Sequence, residues 1–97
     1  MNRRDFLRLG RTKRERVLEI SCREIHLRYM EARIDGGEDP AGASDLFFRN
    51  LLGELRDVRL LKIADRDSLT DAEFRRRLGD FVASFRAAGG SVEMRGA

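Results

Sequence analysis

Apolar residues recur along the chain at several distinct spacings. Phe47, Phe48, Leu51, Leu52 and Leu55 fall three or four apart, the signature of one buried helix face. Ser44, a side chain that caps helices well, predicts the start of that helix, which runs to about Arg56. Residues 58–64 (VRLLKIA) are nearly continuous in apolar character, which predicts a strand at the centre of a sheet. Phe74, Leu78, Phe81, Val82 and Phe85 mark a second helix, stopped by Gly89-Gly90. Its start carries a capping box, Thr70-Asp71-Ala72-Glu73, with Leu69 and Phe74 placed as a hydrophobic staple. Residues 91–95 predict a short last strand with Val92 and Met94 on one face.

Residues 17–34 fit two templates. As strand, Leu18, Ile20 and Cys22 share a face. Ile25, Leu27 and Tyr29 share one after the parity flips near Arg23-Glu24, as a tight turn or bulge would make it do. As helix, residues 12–15 offer a capping box and Gly36 a stop, with Leu18, Cys22, Ile25 and Tyr29 on one side and Ile20, Leu27 and Ile34 on the other. A helix apolar on two opposite sides fits poorly in so small a domain, so strand–turn–strand is preferred. Residues 35–43, rich in Gly and acid and holding the only Pro, are expected to be a loop.

The expected fold is α+β, a two-layer ββαβαβ domain: a small mixed sheet with two helices packed on it, over residues 17–97. The strand–helix–strand unit of residues 58–95 should be parallel, with a right-handed crossover. Ala87-Ala88-Gly89-Gly90-Ser91 ends a helix before a strand, and Asp67-Ser68-Leu69-Thr70 precedes a helix. With the element order of residues 17–95, these stretches are similar to the STAS domain, the fold of bacterial anti-sigma-factor antagonists. The resemblance implies a regulatory interaction module with Ser68 as the candidate phosphosite. The family's turn is Asp-Ser-Ser-Gly, and this chain lacks its Gly.

Charge adds a second feature. The 97 residues suffice for one domain, and 38% of them are charged. Residues 1–16 hold seven basic residues against two acidic ones, a net of +5, whereas the rest of the chain holds thirteen against fifteen. The net charge of +3 is thus a property of a basic N-terminal arm, and such an arm is expected to meet something negative. Arg3, Arg4, Phe6 and Leu7 fall in the pattern of a twin-arginine export signal, and residues 2–8 resemble its n-region. The signal also needs an apolar stretch, and the charged run of residues 11–16 stands in its place, so a cytoplasmic location is expected. Arg3, Arg4, Phe6, Leu7, Arg8, Leu9 and Arg11 are the expected partner-binding residues.

The chemistry available is sparse. One Cys and one His exclude a Cys/His zinc site within one chain, and no metal or cofactor is expected. Cys22 is read as a small buried hydrophobe, and in a strand His26 would face away from it, leaving no triad. Asp65-Arg66-Asp67 and Arg75-Arg76-Arg77 are read as a helix-start acid cluster and a solvated helix face. The expected function is non-enzymatic: a small accessory or adaptor protein docking on a larger protein assembly, or on itself, through its arm and its body. Binding of nucleic acid or anionic membrane by residues 1–16 is the alternative, beside the STAS-like module.

Overall fold

The structure, a computed structural model, describes residues 11–12, 16–68 and 70–96, residues 11, 12 and 68 by their backbone alone. Among these residues the elements follow the order β1 (Arg11–Thr12), β2 (Val17–Ser21), α1 (Cys22–Asp35), α2 (Pro40–Glu54), β3 (Leu60–Ala64), a 3-10 turn (Arg66–Ser68), α3 (Ala72–Ala87) and β4 (Ser91–Met94). The fold is mixed α/β, as the alternation of patterns predicts. β2, β3 and β4 pair in parallel and in chain order, and β1 adds an antiparallel edge to β2. The apolar run of β3 takes the central place expected of it.

Residues 22–35 are the main correction. They form one helix, not the second arm of a hairpin, so the body has three helices where two were expected and the order becomes ββααβαβ. The parity flip near Arg23 is the passage from strand period to helix period. Ser21 ends β2 and caps α1, its Oγ accepting from the Glu24 N–H at 3.1 Å. The second correction lies in the supposed loop. α2 begins at Pro40, with Asp39 as its cap accepting from the Gly42 N–H at 3.0 Å. Pro suits the first helical position because the N–H it lacks has no partner there. Ser44 is therefore inside the helix, buried, and its hydroxyl donates to the Pro40 carbonyl at 2.8 Å. The third is small: Asp71, not Thr70, caps α3, accepting from the Phe74 N–H at 3.0 Å. Leu69 of the expected staple lies outside the described residues, as do residues 13–15 of the alternative capping box.

The buried faces of all three helices meet the same side of the sheet, the arrangement that right-handed crossovers between parallel strands in chain order would produce. The register sets Leu18 beside Leu61 and Val92, and Ile20 beside Ile63 and Met94. These residues meet Cys22, Ile25 and Tyr29 of α1, Phe47, Phe48 and Leu51 of α2, and the Phe74–Phe85 stripe of α3 in one core. The aromatic rings form a connected layer: Tyr29–Phe74 at 5.0 Å, Phe47–Phe48 at 5.0 Å and Phe48–Phe81 at 5.8 Å between centroids. The opposite parity carries a polar row, Glu19, Lys62 and Glu93, with Lys62 Nζ 3.7 Å from Glu19 Oε1. α3 ends in Gly89 at φ 100°, the left-handed turn that suits glycine, and a Cβ on Gly90 would collide with the Phe85 ring. Among the described residues β4 is an edge strand. Its Val92 carbonyl accepts from Arg86 Nη2 at 3.1 Å, which occupies an outward-facing group of that edge.

Candidate interaction site

α1 is apolar on two sides. Cys22, Ile25 and Tyr29, spaced three and four, are buried against the sheet and the other helices. Leu27, Met30 and Ile34 repeat that spacing on the outer side and are 50, 38 and 75% exposed. At 100° per residue the three share one stripe, and Glu24, Glu31 and Asp35 follow one another along its flank. Single exposed apolar residues are ordinary, but three aligned on one helix make a surface suited to another apolar surface. The stripe is what made the helix pattern look implausible in the sequence.

A groove runs between α2 and α3, which lie side by side and point the same way. Its first part is a cavity of about 270 Å³ floored by Phe48, Leu52 and Phe81. Its second, about 430 Å³, is floored by Leu55, Val58 and Phe85, and Arg49 and Leu52 line both. At the α-helix start of the groove, Asp45 is ion-paired with Arg77. Arg77 also bonds Glu73 at 2.9 Å, and Arg76 bonds Glu73 at 2.8 Å. Bonding to Arg76 first, and to Arg77, holds the Glu73 carboxyl below its ordinary value. The Arg75-Arg76-Arg77 run is thus tied down at two of its three residues. Toward the other end of the groove, Arg49 and Arg56 make no ion pair among the described residues.

The carboxyl ends of parallel strands are where open α/β sheets bind ligands, and Cys22, Asp65, His26 and Asp71 gather at that end. The helix brings Cys22 and His26 onto neighbouring turns, contrary to the expectation that they face apart. The two still do not act on one another: His26 Nε2 lies 3.0 Å from Asp71 Oδ2, and its ring packs against Phe74 at 4.8 Å. Cys22 is 1% exposed, and burial pushes its thiol up, against the pull of Arg75 and with the help of Asp65. A buried thiol of raised pKa is a weak nucleophile. The expectation for Cys22 as a core residue agrees with this placement. The Asp71 carboxyl is held below its ordinary value by the Phe74 N–H first and His26 second. The pair therefore works as a strut joining the start of α3 to α1. No group of three or more metal-binding side chains stands together among the described residues. Asp67 pairs with Arg66 at 3.2 Å.

Of the residues expected to bind a partner, Arg3, Arg4, Phe6, Leu7, Arg8 and Leu9 lie outside the described residues, and Arg11 is described only as part of β1. Ser68 closes the 3-10 turn, with its side chain outside the description. The α1 stripe and the two groove arginines, Arg49 and Arg56, were missed. The stripe's spacing is visible once residues 22–35 are taken as helix. The arginines have no signal in the sequence, because their lack of an ion pair among the described residues is a matter of three-dimensional packing. No helix among the described residues is long and apolar enough to cross a membrane. Comparison with protein-family models, curated proteins and solved structures finds no match.

Proposed function

We propose that this chain is a small, non-enzymatic accessory or adaptor protein of the cytoplasm that docks on a larger protein assembly. The observation that carries the reading is the outer stripe of α1, where Ile34 is 75% exposed although the helix has a complete buried face on its other side. Burying a Leu, Ile or Met side chain is worth about 1.5–3 kcal/mol, so three of them in line favour a protein surface over water. The basic arm supplies the second contact, with Arg3, Arg4, Arg8 and Arg11 as charges and Phe6, Leu7 and Leu9 as apolar anchors, against an acidic surface of the partner.

The test is capture from native lysate with four proteins: the full chain, a deletion of residues 1–10, Phe6→Ala/Leu7→Ala, and Ile34→Lys. The cut stops at residue 10 because residues 11–12 form β1. The reading expects a discrete protein band that weakens with each of the three variants, and with salt for the arm. Recovery of nucleic acid or lipid alone, indifferent to Phe6, Leu7 and Ile34, refutes it in favour of binding by charge.

A further inference from the structure

We infer that the protein assembles head to tail, with α1 of one copy seated in the α2/α3 groove of the next. The inference rests on the reading of the α1 stripe as a docking surface and names its occupant. Both features want a counterpart, and each has the chemistry the other lacks. The stripe is apolar, with Glu24, Glu31 and Asp35 along one flank, and Glu24 and Asp35 make no ion pair among the described residues. The groove is apolar; Asp45 and Asp80 of its rim are paired with Arg77 and Arg76, whereas Arg49 and Arg56 have no ion pair among the described residues. Opposite charges across such a contact fix its orientation and register.

The dimensions agree. Leu27 to Ile34 spans seven residues, about 10 Å of helix, and Asp45 to Arg56 spans eleven, about 16 Å of groove. Two turns of α1 therefore lie within the groove. The alternative in which two α1 stripes face one another would bring no arginine of the groove to those carboxylates.

The two surfaces are different patches of the same chain, so the contact is heterologous and each copy that joins leaves one patch of each kind free. Such a contact builds a ring or an open filament, not a closed pair. A contact of two helical turns in one groove is expected to be small beside the roughly 1,200 Å² or more of stable complexes, so assembly should be weak and concentration-dependent.

Sedimentation of the full chain from about 10 µM to 1 mM tests this, a range set by the weak end of measurable affinities. The wild type should grow past dimer as concentration rises. Ile34→Lys blocks the stripe with a cation that the arginines repel, and suits the helix C-terminus. Arg49→Glu/Arg56→Glu reverses the groove. Both change exposed residues, so folding should hold, and circular dichroism confirms it. Each variant alone should weaken association at least about tenfold. Mixed in equal amounts, they should associate where neither does alone, with a 1:1 complex of twice the chain mass as the smallest product, because one supplies an intact groove and the other an intact stripe.

A wild type that stays monomeric at the highest concentration overturns the inference. So does a dimer abolished by Ile34→Lys but untouched by the arginine reversal, which would assign the contact to two α1 stripes. So does failure of the two variants to complement. If the wild type is monomeric yet captures a partner in a manner that depends on Ile34, self-assembly is refuted and the adaptor reading stands; if capture is also indifferent to Ile34, both fail.

Discussion

Replacing Asp71 by Ala removes two bonds of different kinds from one carboxylate. Oδ1 caps α3 through the Phe74 N–H, and Oδ2 ties His26 of α1, 45 residues earlier in the chain. Loss of an N-cap costs about 0.5–2 kcal/mol. Loss of a partly buried side-chain hydrogen bond costs about 0.5–1.5 kcal/mol more. Together they come to about 2 kcal/mol, a fall of about 8–16 °C in Tm for a domain of this size. Urea unfolding of the wild type, Asp71→Ala, His26→Ala and the double variant separates the strut from the cap, because the cycle subtracts what His26 contributes by packing on Phe74. The coupling should be about 0.5–1.5 kcal/mol at pH 7. Acid titration gives an independent reading. Folding depresses the Asp71 carboxyl below the ordinary aspartate value, through the Phe74 N–H first and His26 second. Its stabilisation is therefore complete above that unfolded value and is lost as pH falls through the lower, folded one. Asp71→Asn keeps a capping oxygen but no charge, so its stability should fall less steeply below about pH 4 than the wild type's. Zero coupling at pH 7 together with parallel acid profiles would refute the strut.

Two further outcomes follow from the packing. Phe81 is 4% exposed between Phe48 and Phe85, so Phe81→Ala should cost about 3–5 kcal/mol, a large share of the about 5–15 kcal/mol available to a domain; a loss under about 1 kcal/mol by urea unfolding would contradict the core described above. Arg86→Ala frees the Val92 carbonyl on the β4 edge, and should change stability by less than about 1 kcal/mol while raising light scattering on prolonged incubation, an effect absent if the edge is protected in some other way.

Legibility in the sequence tracked how one-sided each pattern is. α3 buries a single stripe and faces solvent elsewhere, and its bounds were found within two residues. α1 was misread because its outer face is apolar as well: residues that serve a surface cancelled the periodicity that marks a helix. Alternation at 18, 20 and 22, which is real in β2, then extended the strand template past Ser21. α2 began early because two capping side chains, Asp39 and Ser44, compete within five residues, and Pro40 beside the first was the deciding signal. The His26–Asp71 strut was beyond reach for a different reason. Nothing local links residues 45 apart, and in the strand reading His26 pointed elsewhere.

The chain order of the sheet bears on how the molecule forms. Among the described residues no strand is inserted between two that precede it in the sequence, so pairing can advance from β2 to β3 to β4 as the chain lengthens. The first of these is expected to be the slowest, because both α1 and α2 lie between β2 and β3 and the longer connection costs more entropy to close. β3, α3 and β4 lie close together in the sequence and can add quickly once β3 is in place. During synthesis, β2 and the inner face of α1 (Cys22, Ile25, Tyr29) would emerge well before β3, leaving the β3-facing edge of the one and the core face of the other uncovered for that interval and open to premature contact with neighbouring chains.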